Sequence, residues 1–207
     1  MIYRYPLSGG LALLLLAGCS KTVAPDPQTA FMARLGSLCG KAFAGKLISN
    51  ETPDADMIGA AMIMHVRECS AEGVRIPFHV ARKDGSWDRS RTWVITRTAT
   101  GLRLKHDHRH ADGSADKVTQ YGGDTANGGT AARQAFAVDQ DSITMFRREG
   151  LPKSVTNIWA VDVAEASAPN ARFAYELRRT GENARFFRVE FDLTKPVAPP
   201  PPPWGAQ

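Results

Sequence analysis

The chain has 207 residues, 43% hydrophobic and 23% charged, with a formal net charge of +5. That balance excludes a disordered chain, which combines low hydrophobicity with high net charge, and the length suits one domain of ordinary size. The basic surplus could favour anionic lipid, peptidoglycan or acidic ligands, but an ordinary solvated surface is the simpler explanation of it; no nucleic-acid recognition motif accompanies it.

At the amino end, Arg4 precedes the apolar run Leu11–Ala17, which ends at Gly18-Cys19. A bilayer span needs ~20 apolar residues, so this run is too short to cross and reads instead as a secretory signal. Leu16-Ala17-Gly18-Cys19 resembles the lipobox of bacterial lipoproteins. The resemblance implies a signal peptide over 1–18, cleavage before Cys19, and diacylglycerol with an acyl chain such as palmitate on that cysteine. Ser20 stands where an inner-membrane retention signal would have Asp, so the family analogy points to the periplasmic face of the outer membrane. A cleaved signal with a chance cysteine is the alternative. With Cys19 assigned to lipid, Cys39 and Cys69 form an even pair in an oxidising compartment, and a disulfide is expected. Buried thiols or a metal pair are the competing readings.

After a polar tether over 19–26, Asp26-Pro27 supplies an N-cap and a first-turn proline, and Phe31, Leu35 and Leu38 follow at helical spacing. A short helix is expected over 27–38. Strand patterns follow at 46–50, 62–68, 73–82, 91–98, 102–110, 117–121, 133–138, 142–147, 157–163, 173–178 and 185–193, with turn signals at close spacing. Gly122–Gly129 reads as a loop. The expected fold is all-β, an antiparallel up-and-down barrel of about 8–10 strands over 27–195, because closure removes exposed edges. A β-sandwich is the alternative. Gly40-Lys41-Ala42-Phe43-Ala44-Gly45 is similar to the Gly-x-Trp signature that opens lipocalin-like barrels, with Phe43 in place of the tryptophan. The domain also resembles uncharacterised secreted bacterial proteins. Residues 196–207 form a proline-rich tail with Trp204, either a semi-rigid end or a dock for an envelope component.

The most informative chemistry lies in Leu102–His110. Alternate residues of a strand share a face, so Leu102, Leu104, His106, His108 and His110 line one side while Arg103, Lys105, Asp107 and Arg109 line the other. His106, His108 and His110 are therefore candidate ligand-binding residues in a barrel cavity, with structural histidines, hydrogen-bonded within a filled barrel or exposed at its rim, as the equal alternative. His65 and His79 sit opposite apolar rows and are expected to face outward. His106 and His108 are the metal candidates, although no further histidine converges on them and no cofactor is expected. No nucleophile elbow, zinc-protease motif or phosphate loop is present, so no catalytic residue is assigned. The leading reading is a membrane-anchored small-molecule-binding barrel; a structural envelope lipoprotein is second and a metal-dependent enzyme third.

Overall fold

The computed structural model describes residues 1–2 and 25–206, so the lipidation site expected at Cys19 lies outside the described residues. Helix α1 (Pro27–Ser37) begins as its sequence dictates, with the Asp26 carboxylate accepting from Thr29 N and Pro27 in the first turn. Its buried face, Phe31, Met32 and Leu35, joins the barrel core. The strands are β1 (Ala42–Leu47), β2 (Met62–His65), β3 (Glu68–Cys69), β4 (Gly73–Ala81), β5 (Trp87–Thr98), β6 (Gly101–His108), β7 (Tyr121–Thr125), β8 (Arg133–Val138), β9 (Ile158–Val163), β10 (Arg172–Arg179) and β11 (Arg185–Val197).

Apart from β2 and β3, strands consecutive in sequence pair antiparallel, and β1 pairs with β11 on one side and β2 on the other. β2 pairs in turn with β4, which closes a ten-strand barrel; β3 only extends the same edge of β4. The up-and-down barrel expected from the strand string is the fold. The Cys39–Cys69 disulfide is also formed and ties the end of α1 to β3, with Cα atoms 6.2 Å apart. By limiting the unfolded chain it contributes roughly 3–4 kcal/mol in the loop-entropy account.

Four local expectations are corrected. The first strand lies at Ala42–Leu47 rather than 46–50, because Ala42 and Phe43 are fully buried and paired on both sides; a 3-10 turn, Thr52–Met57, follows. The strand expected at 117–121 starts at Tyr121 and runs into the supposed glycine loop. Gly122 and Gly123 are required there for close approach. A Cβ on either would stand 1.8 Å from a carbonyl oxygen, of Leu104 and Ala137 respectively. The strand expected at 142–147 is instead helix α2 (Gln140–Arg148), whose Asp139 cap accepts from Ser142 N. Finally, β11 continues through Pro196 and Val197, which pair with Phe43 and Ala42.

The tail beyond β11 does not hang free. It runs from Val197, paired with Ala42 of β1, to Trp204, whose backbone N–H donates at 3.1 Å to the Arg89 carbonyl on β5. The Arg89 guanidinium donates to the Pro202 carbonyl, and the Arg82 guanidinium lies 5.2 Å over the Trp204 ring. Polyproline geometry, ~3.1 Å per residue, gives this strap its reach with little entropy to lose.

The outer wall elsewhere carries ion-pair ladders. Arg133 and Arg188 both hold Asp162 and Glu176, at 2.8–3.1 Å, across β8 to β11. An arginine facing lipid at mid-bilayer costs about 2–4 kcal/mol, so this wall is built for water and not to span a membrane. Among the described residues no helix is long and apolar enough to cross one.

The two barrel ends differ. α1 packs on β4, β8 and β9, and its Gln28 and Arg34 reach Thr125 and the Val163 carbonyl at the strand ends, so α1 closes that end. At the opposite end the 3-10 turn partly covers a mouth. There Arg185 holds Asp54 at 2.6 Å and Glu51 at 3.3 Å, while Glu51 also accepts from Phe186 N.

Candidate functional site

Three inward-facing rows turn polar as they reach the mouth. They are Ile95-Trp93-Arg91 on β5, Leu104-His106-His108 on β6, and Val189-Phe187-Arg185 on β11. With Tyr121, Tyr175, Leu177 and Phe78 from the walls and Asp54 and Met57 from the 3-10 turn, they line a cavity of about 170 Å³. Below it the barrel is packed solid. Trp93 is stacked between Phe78 at 4.9 Å and Tyr175 at 4.5 Å, and both Phe173 and Phe191 close in beneath. A groove of about 870 Å³ between residues 53–61 and the β4–β5 hairpin shares Asp54, Met57 and Arg91 with the cavity.

The strand parity read from the sequence places His106 and His108 on the cavity side, but the two differ chemically. His106 Nδ1 lies 3.0 Å from the Tyr121 carbonyl, which only accepts, so Nδ1 carries the proton. Its Nε2 then accepts from the Tyr175 hydroxyl at 2.7 Å. The result is a neutral relay, Tyr175 to His106 to the Tyr121 carbonyl, in which both imidazole nitrogens are used. His106 also stacks on Tyr121 at 4.4 Å. Burial, reinforced by His108, pushes its pKa down to about 3.

His108 uses Nε2 alone, 3.2 Å from the Tyr121 hydroxyl. Burial lowers its pKa to about 4, with the Arg91 guanidinium adding to the effect, so both imidazoles are neutral near pH 7. Burial holds the Tyr121 hydroxyl protonated, up to about 12. When that hydroxyl donates to Nε2, His108 keeps its proton on Nδ1 and retains a donor. His110 lies beyond the end of β6 in the turn, 56% exposed and 3.9 Å from Asp116, and does not line the cavity.

A metal does not fit these residues. Both His106 nitrogens are engaged, and among the described residues no group of three or more His, Cys, Asp or Glu side chains is placed to hold an ion. Arg91, Arg185 and Asp54 are the charged groups that line the site; Arg185 is spent on Asp54 and Glu51, and the charge left facing it is Arg91. It acts on His108, Tyr121 and Tyr175 alike, while one of its N–H groups is held by Asp88. Arg91, Arg185 and the tyrosines were not singled out in the sequence, yet the signal was there. Arg91, Arg185 and Tyr175 each continue a hydrophobic row at the same parity, as the histidines do, whereas Tyr121 opens β7 beside glycines.

His79 takes the outward face expected of it but is only 1% exposed. Among the described residues neither of its ring nitrogens has a partner, and burial followed by the nearby Arg89 lowers its pKa to about 4. A second recess, about 440 Å³, lies between Trp204 and the outer wall. Its buried carboxylate, Asp107, is already held by Arg75 and Arg109, each at 2.8 Å. The mouth, which keeps unengaged polar groups beside aromatic walls, is the better candidate. Compared with protein-family profiles, with characterised proteins and with solved structures, the chain gives no match.

Proposed function

We propose that this chain is a lipoprotein anchored through Cys19 to the periplasmic face of the outer membrane, and that its barrel mouth binds a small molecule. The observation that carries the binding reading is the contrast between a packed interior and one open, aromatic-lined cavity of about 170 Å³ with Arg91 and His108 at its edge. Ligand sites have this composition, an apolar wall with a few polar groups that fix orientation. The lipobox residues and the Cys39–Cys69 disulfide support an oxidising, extracytoplasmic setting. In that setting α1 meets the tether at the closed end, which leaves the mouth at the far end of the barrel.

Native mass spectrometry of the protein extracted from its own membranes tests the binding reading. The expected spectrum contains a retained small-molecule adduct that is lost in Met57→Trp, a substitution that fills the mouth from the 3-10 turn. An adduct that survives Met57→Trp contradicts the assignment, as does an adduct-free wild-type protein that also rejects added ring compounds.

A further inference from the structure

We infer that the mouth cavity selects a planar, single-ring monoanion, in chemical class an aromatic or heteroaromatic carboxylate. This rests on the small-molecule reading above and specifies its ligand. Three observations carry it.

The first is size. A cavity of ~150 Å³ accommodates one benzene ring, and the mouth offers about 170 Å³. Its depth is fixed by the stacked Phe78, Trp93 and Tyr175, which leave no channel for a long acyl chain. The second is lining. Both faces of Trp93 are taken by Phe78 and Tyr175, so with Phe187 and Leu177 it gives the cavity an apolar rim, the wall that small ring ligands pack against.

The third is the balance of polar groups that remain available. His106 and Tyr175 are satisfied by one another and by the Tyr121 carbonyl. Asp54 gives one carboxylate oxygen to Arg185, and its other oxygen has essentially no exposed surface. Arg185 is matched by Asp54 and Glu51, and Arg91 gives one N–H to Asp88, so Arg91 is the guanidinium that keeps donors open at the mouth. Arg91, 29% exposed, stands where the cavity meets the groove. A ring inserted past it places a carboxylate against its planar fork, and an arginine fork matches carboxylate geometry. His108, with one ring nitrogen free of protein partners, supplies a second contact at the same edge.

Calorimetric titration of the full-length chain with benzoate, benzamide, toluene and octanoate tests this. Benzoate is expected to bind at least tenfold tighter than benzamide or octanoate. Arg91→Met should bring benzoate down to the benzamide value, and Arg91→Lys should retain part of the difference. Should Arg91→Met fail to fold, Arg91→Lys and the wild-type comparison carry the test. Benzamide equal to benzoate would overturn the anion selectivity and leave the cavity reading intact. Octanoate tighter than benzoate would overturn the single-ring limit. No binding of benzoate, benzamide or toluene would overturn both readings.

Discussion

Tyr175→Phe removes one oxygen and strands one buried group. The Tyr175 hydroxyl supplies His106 Nε2 at 2.7 Å, in a site where His106 is 2% exposed. An unsatisfied buried polar group costs about 1–3 kcal/mol, so losing this partner should cost roughly 2 kcal/mol. For a domain of this size that lowers Tm by roughly 6 °C, at about 3 °C per kcal/mol. Tyr121→Phe is the control. Its hydroxyl meets only His108, at 3.2 Å and beside the open mouth, where water can replace it. That change should cost under about 1 kcal/mol. Urea unfolding of the two variants beside wild type measures the difference. Equal stabilities for Tyr175→Phe and wild type would refute the relay, as would a Tyr121→Phe loss as large as that of Tyr175→Phe.

The buried imidazoles also set a pH response. His79, His106 and His108 are lowered from 6.5 to about 4, about 3 and about 4, so the unfolded chain binds their protons first. Stability is therefore full above pH 6.5 and falls as pH drops toward the folded values. Each histidine contributes about 1.4 kcal/mol per pH unit, together roughly 4. Asp88, Asp107, Asp139 and Glu176 are shifted down and act only at lower pH. Urea midpoints at about pH 7 and about pH 5 should differ clearly, and a flat profile would contradict this. His79→Leu, which removes two unpartnered nitrogens, should raise stability by roughly 1 kcal/mol and flatten the same profile. Trp204→Ala should cost about 1–2 kcal/mol in thermal unfolding by releasing Arg82 and loosening the strap; no change would mean that the tail is a passenger.

Much of the architecture was legible because it rests on short-range chemistry. Asp26-Pro27 writes the start of α1, and the Thr98–Gly101 reversal produces the β5–β6 hairpin in the expected place. Alternation along 102–108 separates His106 and His108 from Arg103, Lys105 and Asp107, and the barrel keeps that parity. What stayed hidden depends on distant partners. Ser142–Arg147 is too short to distinguish helix from strand by pattern, and the Asp139 cap decides it. Gly122 and Gly123 look like loop residues until β6 and β8 crowd them. The strap's composition announces an extended segment but not the Arg82 and Arg89 that hold it. His106 looked like a ligand residue because nothing nearby in sequence reveals that Tyr175 has already taken its free nitrogen.

Methyl NMR of the protein titrated with benzoate and toluene tests the binding site most directly. Met57 and Leu177 line the mouth, whereas Met32 belongs to α1 at the closed end. Saturable shifts at Met57 and Leu177 with Met32 unmoved are the predicted result. Shifts centred on Met32, or silence at all three methyls with both probes, would contradict a ligand site in the mouth.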